Sequence, residues 1–214
     1  MTAQISDTFR YRGQAHALAG INGSGLFDPV QHGIRPAAVS TACWRGYHCR
    51  YEVADGMLLL TEVYLGLGEE DLATAERGEG PKLFGKVPKR CTVGGIRSEP
   101  GAGAVEIDRD SPEFGVDGLR EIVAFTGGLL LGDDFVEEMY VHMGFHPAYK
   151  FRIVHELIFA GGRLTAEHDR SAQMAEFREM LSSRPLEPGA DASRTELAEW
   201  IKQCFSLEYG GLGA

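Results

Sequence analysis

The chain carries one short motif twice, first as His32-Gly33-Ile34-Arg35-Pro36-Ala37 and again as His142-Met143-Gly144-Phe145-His146-Pro147-Ala148. Each copy leads into an extended run, residues 47–53 in the first case and 149–159 in the second. Each run then meets a tight turn, Ala54-Asp55-Gly56 or Ala160-Gly161-Gly162, a pattern typical of β-hairpins. Because an isolated hairpin cannot bury its apolar face, we expect two related hairpin-containing halves that pack against each other.

The composition is that of a folded protein. Hydrophobic residues make up 43% and charged residues 24% of the 214 residues, and 28 glycines indicate many turns. No apolar run approaches the ~20 residues that a membrane-spanning helix needs. The N-terminus is polar and lacks a signal-peptide pattern. The sequence therefore predicts a cytoplasmic protein without a membrane segment.

The balance of acidic and basic side chains indicates which classes of partner the protein can bind. The chain has 31 acidic and 21 basic side chains, a formal net charge of −10. Nucleic-acid binding needs clustered Lys and Arg, so no nucleic-acid partner is expected. An acidic surface would suit a basic protein partner. The four cysteines form no CxxC pair and have no zinc-finger spacing, so reduced thiols are predicted and no cofactor is expected.

The predicted fold class is α+β, a β-rich core of two packed halves with a mid-chain helix and two C-terminal helices. Residues 1–67 form the first β-rich half and 119–170 the second. Between them, 68–118 is a charged, Gly/Pro-rich connector with only short strands. Residues 171–214 hold the C-terminal helices, and the whole chain is expected to form one compact domain.

Capping signals place the helices. Asp134 as cap with Glu137 at the reciprocal position predicts the mid-chain helix, which Gly144 would end. Ser193 and Glu196 form a capping box before an apolar stripe at helical spacing, which predicts the last helix.

An aromatic–cation cluster precedes and enters the first extended run: Trp44, Arg45, Tyr47 and Arg50. Trp, Tyr and Arg are the residue types enriched in binding hot spots. The cluster is therefore the candidate binding site. The structural alternative is that Trp44 closes one end of the core.

The histidines offer alternative chemistry. Glu138, His142 and His146 are spaced by four, so a continuous helix would place them on one face as a possible metal site. Against this, Gly144 breaks the helix and no HExxH motif is present. Asp28 and His32 are also four apart and, with His142 and His146, form the alternative catalytic set.

Two longer strings carry a resemblance: Cys43-Trp44-Arg45-Gly46-Tyr47 with the Asp55-Gly56 turn, and Phe125-Thr126-Gly127-Gly128-Leu129-Leu130-Leu131 with Tyr140-Val141-His142-Met143-Gly144-Phe145-His146-Pro147. They resemble small uncharacterised bacterial proteins, some of which are similar to immunity proteins or antitoxins. The resemblance carries no catalytic residues. It implies a protein-binding module that inhibits a toxin or effector, and the acidic net charge of the chain favours a basic partner.

Two alternatives stay open beside that module. One is an enzyme or a small-ligand or metal-binding protein, with a histidine-containing site between the two halves. The other is a purely structural subunit of a larger assembly, which includes a homo-oligomer.

Overall fold

The computed structural model describes residues 2–38, 40–99, 103–181, 188–189, 192–210 and 212, with the backbone alone at 92–99 and 103–112. Within that part of the chain it contains ten β-strands and three α-helices, a mixed and strand-rich architecture. No described helix has both the length and the apolar character needed to span a bilayer.

The elements follow in chain order. The strands are β1 Thr8–Tyr11, β2 Gln14–Ser24, β3 Tyr47–Ala54, β4 Met57–Leu65, β5 Lys89–Glu99, β6 Gly103–Val116, β7 Glu121–Ile122, β8 Thr126–Phe135, β9 Phe151–Ala160 and β10 Arg163–Asp169. The α-helices are α1 Glu69–Glu76, α2 Ser171–Leu181 and α3 Arg194–Cys204. Three 3-10 turns cover Pro29–His32, Glu137–Met139 and Ala148–Lys150.

Seven strands close into a barrel. Their order is β10-β9-β8-β2-β1-β3-β4, and the pairing of Met57 with Arg163 joins β4 back to β10. Neighbouring strands are antiparallel except β1 and β3, which run parallel. The parallel pair means that β1 and β3 both begin at the same end of the barrel.

Both predicted hairpins are present, as β3–β4 and β9–β10. Their turns meet where the barrel closes: the Leu58 amide donates to the Gly162 carbonyl at 2.8 Å, and the Leu164 amide donates to the Gly56 carbonyl at 2.8 Å. The strands beyond them differ, since β3 lies parallel to β1 whereas β9 lies antiparallel to β8. The likeness of the two halves is therefore limited to the hairpins themselves.

Alternation along the strands separates the core from the surface. Cys49 and Tyr51 belong to the core cluster, whereas Arg50 between them pairs with Glu62, as a period of two predicts. The interior is filled by apolar side chains, among them Phe9, Leu18, Leu58, Leu129 and Phe159. A second, smaller cluster forms around Ala19, Leu130, Phe151, Val154 and Met174, the last from α2.

The predicted mid-chain helix is wrong. Strand β8 continues through Phe135, which pairs with Phe151 and packs on its ring at a centroid distance of 5.4 Å. Asp134 has a φ of +53° and accepts from Arg152, so it does not cap a helix. Only the 3-10 turn at Glu137–Met139 follows. Cross-strand burial of Phe135 thus outweighs the local capping signal.

The region predicted as a connector is also more ordered than expected. It contains α1 and the long antiparallel β5–β6 ribbon, which is paired from Lys89 with Gly115 to Glu99 with Gly103. The base of the ribbon joins the barrel through Val63 and Val116. The glycines and charged residues of this segment have low β-propensity, so the sequence did not predict strands of this length. The ribbon is instead stabilised by main-chain pairing. Both predicted C-terminal helices are confirmed as α2 and α3.

Candidate functional site

A cavity of about 700 Å³ opens at the barrel end where β1 and β3 begin. Strand β2 contributes Leu18, Ile21 and Ser24 to its wall, and the segment after β2 contributes Leu26 and Phe27. The position follows from the topology, because loops that enter two parallel strands meet at the same rim.

Aromatic rings form much of the wall: Phe27, Trp44, Tyr47, Phe145 and Phe205. Trp44 stacks on Phe205 with ring centroids 5.0 Å apart and planes inclined by 18°. Trp44 is nevertheless 49% exposed, so it lies at the rim. The cavity therefore offers flat apolar surfaces with one stacked pair at its entrance.

A buried ion pair lies at the cavity. The Asp7 side chain is 3% exposed and accepts from both terminal nitrogens of Arg45 and from the Cys49 amide at 2.7 Å. The Arg45 Nε also donates to the Tyr47 carbonyl at 2.6 Å. Burial alone would lower the pKa of Arg45, but the Asp7 carboxylate raises it above its ordinary value. The guanidinium is thus charged, oriented and neutralised by its partner.

The Tyr47 ring carries the Arg45 guanidinium 4.6 Å from its centroid. Burial raises the pKa of Tyr47 to about 12, so the phenol is protonated at neutral pH. Among the described residues, none hydrogen-bonds the Tyr47 hydroxyl. This hydroxyl is a donor that the described part of the chain leaves available.

The C-terminal segment completes the wall. The Leu207 carbonyl accepts from the Ile21 amide at 2.7 Å, and the Tyr209 amide donates to the Ile21 carbonyl at 3.1 Å. The Tyr209 hydroxyl donates to Glu156 at 2.9 Å, a buried carboxylate that also pairs with Arg170 at 2.7 Å. We call residues 205–209 the strap, since they lie against β2 and place Phe205 and Leu207 in the cavity.

The structure brings three of the four predicted binding residues to this cavity, namely Trp44, Arg45 and Tyr47. Arg50 lies elsewhere, beside Glu62 at 3.3 Å. Sequence reasoning missed Asp7 and Phe205, which belong to no motif and lie far from the cluster along the chain. No sequence signal marks them, because only the closed barrel and the strap bring them together.

The histidine alternatives lie in separate surroundings. The His32 ring contacts Phe27 at 5.1 Å and Phe84 at 4.9 Å. Asp28 caps the 3-10 turn by accepting from the Val30 amide at 3.0 Å, and it also lines the cavity. Asp28 and His32 are thus engaged by a backbone amide and by aromatic rings respectively.

The second motif places its histidines against an aromatic side chain. The His142 Nδ1 is 2.9 Å from the Tyr140 hydroxyl, and the His146 ring lies 5.4 Å from the Tyr140 ring. His146 is also 4.7 Å from Phe135, its Nδ1 has no described partner, and burial lowers its pKa to about 4. The helix that would stack Glu138 with both histidines is not formed, and no described group of three His, Cys, Asp or Glu side chains is arranged to hold a metal.

Two further polar clusters were not predicted from the sequence. The first, at the other end of the barrel, is formed by His16 and His155 with Tyr11, in edge contacts of 5.6–6.1 Å. The second is a buried pair in which the His48 Nε2 lies 3.0 Å from Glu113. None of these five side chains is among the residues that line the cavity described above.

No protein-family model matches this chain, and neither a curated protein nor a solved structure is detectably similar to it.

Proposed function

We propose that the protein binds a small organic molecule in the cavity lined by Trp44, Arg45 and Tyr47. The observation that carries the proposal is the cavity itself: a concave space of about 700 Å³, walled by aromatic rings, with one oriented polar cluster. Small-molecule sites in proteins have this size and this combination of apolar walls with a few fixed polar groups.

The surrounding contacts support a preformed site. Arg45 and Asp7 are held by each other and by backbone groups, and the strap is fixed to Ile21. A ligand that enters such a site does not have to order these groups, which lowers the cost of binding.

The experiment uses N-phenyl-1-naphthylamine, a neutral dye that fluoresces in apolar surroundings, and measures its binding to the full-length protein. We expect saturable binding with one site per chain. Ser24→Phe places a ring in the cavity and should weaken binding by at least about tenfold, or 1.4 kcal/mol. Thr195→Phe adds the same ring to an exposed position on α3 and should leave binding unchanged. Equal binding by all three proteins would contradict the proposal.

A second candidate is the cytosolic protein-binding module, an immunity- or antitoxin-like inhibitor of a basic toxin or effector. The observation that favours it is the exposed Trp44 beside Arg45 on a chain with a net charge of −10. Exposed Trp and Arg are frequent anchors in protein interfaces.

The protein-binding candidate has its own test. Stoichiometric capture of a basic protein from the native host should weaken with salt and be lost in Trp44→Ala but not in Leu197→Ala, which truncates an exposed side chain on α3. Capture that both variants retain equally would count against it. Light scattering of the purified protein would at the same time measure whether it forms homo-oligomers.

A further inference from the structure

We propose that the ligand is an uncharged, planar aromatic molecule with a hydrogen-bond acceptor, which Tyr47 and Arg45 recognise together. The inference rests on the proposed function and names the chemical class that the cavity selects. Three features lead to it: the shape of the wall, the free donors and the charge of the surroundings.

The shape favours a flat molecule. Among the described residues, five aromatic side chains line the cavity: Phe27, Trp44, Tyr47, Phe145 and Phe205. The Trp44–Phe205 pair shows a stacked geometry, at 5.0 Å and 18°. A planar ring system can stack on such surfaces with its full area, and aromatic pairs gain beyond the area that they bury.

The polar groups of the cavity favour a ligand that carries a hydrogen-bond acceptor. A guanidinium has five N–H donors, and Arg45 uses one at each of its three nitrogens, toward Asp7 and the Tyr47 carbonyl. The Arg45 side chain is 32% exposed and lines the cavity, so we infer that its remaining N–H groups are donors for a ligand. The Tyr47 hydroxyl is a further donor, with no hydrogen bond to any described residue. The Asp7 oxygens, by contrast, already accept from Arg45 and Cys49.

The charge of the surroundings excludes an anion. Asp7 cancels the Arg45 charge, and Asp28 adds a carboxylate to the lining. No other Lys or Arg lines this cavity among the described residues. The chain as a whole is strongly acidic, with a net charge of −10. A carboxylate or phosphate ligand would meet no uncompensated positive charge here, so a neutral acceptor such as a ketone is the better fit.

The test compares three matched probes by calorimetry: fluorene, 9-fluorenone and 9-oxofluorene-2-carboxylate. They share the flat ring system and add first a carbonyl and then a charge. We expect fluorenone to bind about fivefold more tightly than fluorene, the gain of one net hydrogen bond. The carboxylate should bind at least about tenfold more weakly than fluorenone, because its charge is desolvated without a partner.

Tyr47→Phe is the matched variant, since it removes the free hydroxyl but keeps the ring under Arg45. In this variant the preference for fluorenone over fluorene should fall from about fivefold to at most about twofold, with Arg45 as the remaining donor. Circular dichroism with the midpoint of thermal unfolding would verify that the variant is folded.

The outcomes separate the two proposals. If none of the probes saturates the unchanged protein, and the dye experiment also fails, the proposed function is wrong. If the dye or fluorene binds in the cavity but the carbonyl brings no gain, or the carboxylate binds as tightly as fluorenone, the ligand class is overturned while the site stands. A carbonyl preference that persists fully in Tyr47→Phe would also overturn the assignment.

Discussion

The surroundings of His146 make the stability of the folded protein depend on pH. Its ring packs on Phe135 and Tyr140, and burial lowers its pKa from the ordinary 6.5 to about 4. Between pH 4 and 6.5 the His146 side chain is protonated in the unfolded chain but neutral in the folded protein. The free energy of unfolding therefore rises with pH in this window and falls as the pH is lowered.

We therefore expect His146→Leu to flatten the pH dependence of unfolding between pH 6.5 and 4. The wild-type protein should lose about 3 kcal/mol across this window through His146 alone. Urea unfolding at several pH values measures the slope. The exposed, non-titratable Met180 on α2 supplies the control, because Met180→Leu should leave the slope unchanged. Identical slopes for the wild type and His146→Leu would refute the assignment.

Asp7 is the partner that fixes the Arg45 guanidinium at the cavity. Asp7→Asn keeps the size of the side chain but leaves the Arg45 charge without its partner, which should cost roughly 3–5 kcal/mol. The free energy of unfolding in urea is the measurement. Asp134→Asn removes an exposed pair with Arg152 and should cost at most about 1 kcal/mol. Equal effects of the two substitutions would mean that Asp7 does not organise the site.

At the scale of elements, the strap is the part that joins the C-terminus to the barrel. Glycines make room for it: a Cβ on Gly144 would lie 2.0 Å from the Cys204 carbonyl oxygen, and one on Gly128 would lie 2.2 Å from the Tyr209 hydroxyl. The strap is thus closely fitted to strand β8 at Tyr209, and the residue before it, Cys204, is closely fitted to Gly144.

Tyr209→Phe should loosen the strap, because it removes the hydrogen bond to the buried Glu156, a loss of about 1–3 kcal/mol. The amides of Ile21 and Tyr209 should then exchange faster with solvent. Ser193→Ala removes the capping box of α3 and should cost about 1 kcal/mol within that helix. Unchanged exchange at Ile21 in Tyr209→Phe would contradict the anchoring role.

The same elements explain what could be predicted from sequence. The hairpins and the capped helix α3 were predictable because a few adjacent residues decide them: Asp55 and Gly56 both have positive φ, and Ser193 and Glu196 cap each other. The false helix after Asp134 had equally good local signals, but the pairing of Phe135 with Phe151 decided its conformation. Conformations decided by neighbouring residues could be predicted from the sequence, whereas strand pairing between distant residues could not.

At the scale of the whole molecule, closure of the barrel creates the candidate site. Trp44, Arg45 and Tyr47 could be singled out from sequence because their types and spacing mark a binding cluster. That they border a cavity depends on the parallel β1–β3 pair, on Asp7 before β1 and on Phe205 after α3. These contacts join residues far apart in the chain, which single-sequence reasoning cannot pair.

A crystal structure with 2-bromofluorenone would show whether this cavity holds a flat organic ligand. We expect an anomalous bromine peak inside the cavity, with the ring system against the aromatic wall and the ketone oxygen within hydrogen-bonding distance of Tyr47 or Arg45. An empty cavity, or a bromine peak only at other surfaces of the molecule, would contradict it.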